Sequence, residues 1–105
     1  MPGNLPARFR DKKILNRLEQ LCREHRVTYL GLFGSAARGE QKRNSDVDLL
    51  VRFAEGSGKS LFDLVQLEEE MKKIFRRKID LLTEGSISPY ILPEVLKTVK
   101  TIYAQ

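Results

Sequence analysis

Between Phe9 and Cys22 the apolar residues Ile14, Leu15, Leu18, Leu21 and Cys22 recur at helical spacing within a charged segment. That one-sided stripe predicts a helix packed on a core. The period then changes. Val27 to Phe33 is short, rich in β-branched and aromatic residues, and stops at Gly34-Ser35, which predicts a buried strand running into a tight turn. Ala36-Ala37-Arg38 reads as the start of a short helix ended by Gly39, and Glu40 to Ser45 as an exposed loop. From Asp46 to Phe53 the residues Val47, Leu49, Val51 and Phe53 alternate along a second strand, one face turned to the helix layer. Asp46 and Asp48 open the other face.

Ala54 to Lys59, with two glycines, predicts a turn, and Ser60 with Asp63 three residues on resembles a capping box. Behind it Leu61, Leu64, Leu67, Met71, Ile74 and Phe75 form the stripe of a second helix. Glu68 with Lys72 and Glu69 with Lys73 are ion pairs on its solvated side. In Lys78 to Leu82, a third strand, Ile79 and Leu81 share one face and Asp80 lies on the other. Ser86 or Ser88 caps a last helical segment from Pro89, which carries Ile91, Leu92, Val95, Leu96 and Val99 inward. These elements predict an α/β (α+β) fold: a small mixed sheet of three or four strands, with helices packed on the face opposite the carboxylates. The pattern does not fix the strand order.

The 105 residues fit one domain spanning 1–105, without repeat or linker, and 41% apolar with 31% charged residues is a globular balance. Cys22 is the single cysteine, which excludes an intrachain disulfide, and no His/Cys cluster has zinc-ligand spacing. A reducing cytoplasm is the expected compartment. No apolar run approaches the roughly 20 residues of a membrane helix. The formal charge of +5 suits a polyanionic ligand such as a nucleotide and leaves direct nucleic-acid binding open.

Asp46 and Asp48, one residue apart on a strand, project to one side about 7 Å apart. Aspartate is disfavoured in strands and neighbouring carboxylates repel, so this placement costs stability unless a cation lies between them. Asp80 supplies a third carboxylate if its strand neighbours theirs. Three oxygen ligands in an open site suit magnesium, which completes its shell with water and substrate phosphate. Two such ions could share the three aspartates. An isolated Asp-x-Asp is more often a solvated strand end; the preceding turn changes that balance. Gly34 permits close backbone approach, and the Ser35 hydroxyl and the free N–H groups of the following helix start point to one spot. Arg38 and Gly39 extend the same segment.

Taken together, Gly34-Ser35-Ala36-Ala37-Arg38-Gly39 followed by Ser45-Asp46-Val47-Asp48-Leu49-Leu50-Val51 resembles the signature of the polymerase-β nucleotidyltransferase superfamily: Gly-Ser, ten residues, Asp-x-Asp. The wider pattern and the length are similar to its minimal nucleotidyltransferase (MNT) branch. The resemblance implies a nucleotidyltransferase fold, ATP as substrate, and a Gly34-Ser35 turn that contacts the triphosphate, with Arg38 and Gly39 beside it. It also implies that Asp46 and Asp48 bind magnesium and that Asp80, matched by context alone, completes the triad. Members of this branch act as antitoxins of HEPN-domain toxins, and some transfer AMP to a tyrosine of that partner. The implied activity here is such a protein adenylyltransferase. On this reading Asp80 helps deprotonate the acceptor hydroxyl while Asp46 and Asp48 hold the metal.

The remaining residues have simpler readings. His25 lies at a helix end without a second histidine, and the basic run of Lys72, Lys73, Arg76, Arg77 and Lys78 reads first as a solvated helix end. Tyr90 and Tyr103 are expected to pack in the core or on the surface. A competing function is contact-only neutralisation of a partner through the apolar stretch from Ile87 to Ile102. The chain is too short to carry a separate acceptor domain, so acceptor specificity is expected from a partner subunit or self-association.

Overall fold

A computed structural model describes residues 11–34 and 47–105. Four strands form one sheet in the order β3-β2-β1-β4. Helix α1 (Lys12–Glu24) leads into β1 (Val27–Phe33); β2 (Val47–Phe53), α2 (Leu61–Phe75) and β3 (Ile79–Leu82) follow. A 3-10 turn (Glu84–Ser86), α3 (Leu92–Thr98) and β4 (Lys100–Ala104) complete the chain. The sheet is mixed: β1 pairs antiparallel with β2 and β4, and β2 pairs parallel with β3 through the α2 crossover. The helix and strands expected between 11 and 34 and between 47 and 82 are present. The short helix expected from Ala36 and the loop from Glu40 to Ser45 lie outside the described residues.

Each element begins where its sequence gives the backbone a partner. The Asp11 carboxylate accepts from Lys13 N–H at 2.9 Å and caps α1. At α2, the Ser60 N–H and hydroxyl both donate to Asp63 Oδ2, at 2.8 and 3.0 Å. α1 ends at His25, whose Nε2 lies 2.8 Å from Glu70 Oε2, so the helix end is tied to α2 instead of solvated.

The main core lies between the sheet and the two long helices. Leu30, Leu32, Val47, Leu49, Val51, Ile79 and Leu81 meet Leu18 and Cys22 of α1 and Leu67, Met71 and Phe75 of α2. This is the face predicted for the helix layer. A bulge between Val27 and Tyr29 shifts the alternation of β1, so that Val27, Leu30 and Leu32 all reach this core.

The opposite face carries a second, smaller core. Phe33 and Leu50 pack with Ile87 and with Val95 of α3, bordered by Tyr29, Leu82, Leu92 and Val99. Thus α1 and α2 occupy the expected side, while the short α3 covers the carboxylate-bearing side. Val99 does not belong to α3, whose last residue is Thr98; a strand follows immediately. Gly31 makes room beneath this layer: a Cβ there would lie 2.5 Å from Val99 Cγ2 and 2.6 Å from the Tyr29 hydroxyl.

Candidate functional site

Two of the predicted carboxylates stand side by side. Asp48 and Asp80 are register partners on the parallel strands β2 and β3. Their neighbours Leu49 and Leu81 point into the main core, so both aspartates project from the α3 face, where Leu50 and Leu82 follow them. Asp48 is half-buried and Asp80 exposed, with Leu50 fully buried beneath. The pair therefore sits where the apolar cover of α3 gives out.

The turn reaches the same place. Phe33 is the register partner of Asp48 on β1, and Gly34 follows it with a φ of +75°, a conformation that favours glycine. A Cβ on Gly34 would lie 2.5 Å from Asp48 Oδ2. Gly34 is thus required twice, for its backbone angle and for the carboxylate seated against it. Ser35, Arg38, Gly39 and Asp46 lie outside the described residues.

Backbone contacts fix the strands carrying the pair. Val47 N–H donates to the Lys78 carbonyl at 2.9 Å, closing the start of the β2–β3 ladder. On the outer edge of β3, Leu81 N–H donates to Glu68 Oε2 at 3.1 Å, so a side chain from α2 covers part of that strand edge. Lys72 Nζ lies 3.4 Å from Glu68 and 3.2 Å from Glu69. Of the two expected helix pairs, Glu68 with Lys72 is present. Lys72 also takes up Glu69, the residue expected to pair with Lys73.

At the strand spacing of roughly 4.8 Å, two unit charges repel by about 1 kcal/mol in water and about 3 kcal/mol at an effective dielectric near 20. A hard divalent cation held by Asp48 and Asp80 would offset that repulsion. The half-buried Asp48 and exposed Asp80 carboxylates fit magnesium, which needs few protein ligands and retains water.

The sequence profile of the nucleotidyltransferase domain matches residues 12–101. The chain belongs to the nucleotidyltransferase family. A Methanocaldococcus jannaschii protein provisionally named a protein adenylyltransferase is 40% identical over 84 residues, covering 80% of this chain and 88% of its own. The protein adenylyltransferase MntA of Thermococcus cleftensis is 40% identical over 73 residues, covering 70% of this chain and 72% of its own. A crystal structure of a toxin–antitoxin with AMP-PNP superposes with a TM-score of 0.71 at 25% identity, covering 87% of this chain and 73% of that one. This nucleotidyltransferase thus has relatives of its own size, and its mixed sheet and helices are those of the family fold.

Other features were not visible in the sequence. Arg52, on the Asp48 face at the far end of β2, pairs with Glu84 and lies 5.2 Å above the Tyr29 ring. The Tyr29 hydroxyl is 3.1 Å from Thr101 Oγ1. Glu84 and Thr101 are distant in sequence, and only the sheet order brings them there. Tyr103 packs half-buried against the main core, whereas Tyr90 is 94% exposed. No helix among the described residues is long and apolar enough to cross a membrane.

Proposed function

We propose that this nucleotidyltransferase moves AMP from ATP onto a hydroxyl of a partner protein, a tyrosine of a HEPN-domain toxin, and thereby acts as its antitoxin. The observation that carries the proposal is the register pairing of Asp48 with Asp80 beside the Gly34 turn, which gathers distant parts of the sequence into one acidic site. The adenylyltransferase relatives and the AMP-PNP-bound toxin–antitoxin neighbour support the reaction class and the partner class.

In the proposed reaction the acceptor oxygen forms a bond to the α-phosphorus, the α–β phosphoanhydride breaks and pyrophosphate leaves. Asp80, the more exposed of the pair, takes the proton of the acceptor hydroxyl. Asp48, with Asp46 assigned from the sequence motif, would hold magnesium, two ions being what the motif leads us to expect for the three aspartates. Magnesium bound there supplies charge neutralisation for the triphosphate. Gly34 lets the backbone pass close to phosphate, and Ser35, Arg38 and Gly39 are assigned to the same triphosphate from the motif. The molecule is read as one domain working in the cytoplasm; self-association is a further route to acceptor specificity.

The test is to incubate the chain with ATP, magnesium and a HEPN-domain partner and to weigh the partner intact. A gain of one AMP, abolished by Asp48→Asn with folding matched by circular dichroism, supports the proposal. An unmodified partner opposes it. A second reading, neutralisation by contact alone, draws on the exposed apolar residues Tyr90, Ile91 and Leu96 around α3. It predicts that Asp48→Asn still silences the toxin.

A further inference from the structure

The groove between α1 and α2, across the sheet from the carboxylates, gathers four cations for which the site above has no use. Lys13 and Arg17 stand four residues apart on one face of α1, while Lys73 lies in the last turn of α2 and Arg76 just beyond its end, in the left-handed conformation. Two adjoining clefts of about 380 and 320 Å³ both include Arg17, Lys73 and Ile74; Lys13 and Arg76 line the second. All four cations are exposed, while Ile14 and Ile74 form a half-buried floor.

The pairing pattern separates these cations from others on the chain. Arg23 pairs with Glu19, Lys72 with Glu68 and Glu69, and Arg52 with Glu84. Among the described residues Lys13, Arg17, Lys73 and Arg76 make no such pair. Glu24 and Glu70 also line the first cleft, where Glu24 accepts from the Gln20 amide at 3.4 Å and Glu70 Oε2 lies 2.8 Å from His25 Nε2; the second cleft has no acid in its lining among the described residues. Lys13 and Arg17 at helical spacing, with Lys73 and Arg76 on the facing wall, gather like charges that work against folding, and an anion laid along the groove relieves them.

We propose that this groove binds the phosphodiester backbone of a single-stranded nucleic acid. A trough with cations on both walls suits a thin chain bearing repeated charge. Its lining contains no aromatic side chain on which a base could stack, so it reads charge and not sequence. The groove is independent of the carboxylate site and of the proposed transfer reaction.

Fluorescence anisotropy of labelled oligouridylate and oligodeoxyuridylate without magnesium tests it. At about 0.7 released counterions per contact on a single strand, four contacts weaken binding about 50-fold between roughly 50 and 200 mM salt. Arg17→Gln with Lys73→Gln leaves two contacts and reduces that loss to about 7-fold. Lys59→Gln with Lys97→Gln removes the same charge elsewhere and retains the native salt dependence. Lys13→Gln with Arg76→Gln serves if the first pair fails to fold. Equal affinity for the two polymers supports a backbone reader, and preference for one identifies its sugar as the source of contact. No binding at low salt, equal losses in the control pair, or displacement of the probe by polyglutamate of matched charge would overturn the assignment.

Discussion

Gly34→Ala separates the role of the turn from its cost in stability. A φ of +75° costs an L-residue roughly 1–2 kcal/mol. The added Cβ also falls 2.5 Å from Asp48 Oδ2, so the carboxylate must rotate away, at about 0.5–1.5 kcal/mol if it leaves its rotamer. Gly56 is the matched control, with the same φ of +75° but nothing within 4 Å of its added Cβ. Gly56→Ala therefore loses about 1–2 kcal/mol and Gly34→Ala about 1 kcal/mol more, both within the roughly 5–15 kcal/mol of a typical domain. Urea unfolding reads the difference, and calorimetry of magnesium-dependent ATP binding reads its consequence. Gly56→Ala binds ATP as the native chain does, whereas Gly34→Ala loses at least about tenfold, equivalent to about 1.4 kcal/mol. Equal stability loss and equal binding in the two variants would refute the seating of Asp48 against the turn.

Gly31→Ala overpacks the α3 face between Val99 and Tyr29 and lowers urea stability by about 1–3 kcal/mol, while Gly85→Ala, whose Cβ meets nothing within 4 Å, does not. Hydrogen bonds from the Ser60 backbone and hydroxyl hold the Asp63 carboxyl below its ordinary range. Its stabilisation is present above the unfolded-state value and lost as pH falls through the folded one; acid titration of unfolding should show Asp63→Asn with a shallower loss in that window. Burial, then the nearby Glu19 charge, pushes the Cys22 thiol up to about 12 from 9.0. An unfolded chain ionises near the lower value, so Cys22 contributes stability below it that declines as pH rises toward the upper one. A thiol reagent at neutral pH should label Cys22 only as fast as the chain opens.

The legible part of the fold is the part in which local pattern and tertiary demand coincide. Odd-numbered apolar residues from Val47 to Val51, and Ile79 with Leu81, announced their face because that face is covered by two long amphipathic helices. The capping box at Ser60 and Asp63 is likewise a local device and was readable. β4 was not read, because Thr101-Ile102-Tyr103 follows the α3 stripe without a turn signal and its pairing to β1 is interrupted by a bulge. The covering of the carboxylate face by α3 was missed for a related reason. Val95 and Leu92 look the same on either side of a sheet, and their partners Phe33 and Leu50 are remote in sequence. For the site, the alternation along β2 announced the face of Asp48, but only the parallel β2–β3 register places Asp80 beside it; Asp46 lies outside the described residues.

The two ends of that face argue together for what the carboxylates are there to meet. At one end Arg52 is answered within the fold by the Glu84 carboxylate and the Tyr29 ring, so its charge is accommodated without a ligand. At the other end the register neighbours of Asp48 are Phe33 and a second carboxylate, Asp80, and apart from Arg52 the other positions of β2 and β3 are apolar. Had the fold needed only polar strand ends there, one carboxylate or an amide would avoid the repulsion at no loss to the core. Glycine at 34, whose missing side chain leaves the Asp48 oxygen its space, adds a second backbone constraint that stability alone does not require. The same strand thus carries at one end a cation answered by a carboxylate from another element, and at the other a carboxylate brought into register with a second one beside the Gly34 turn.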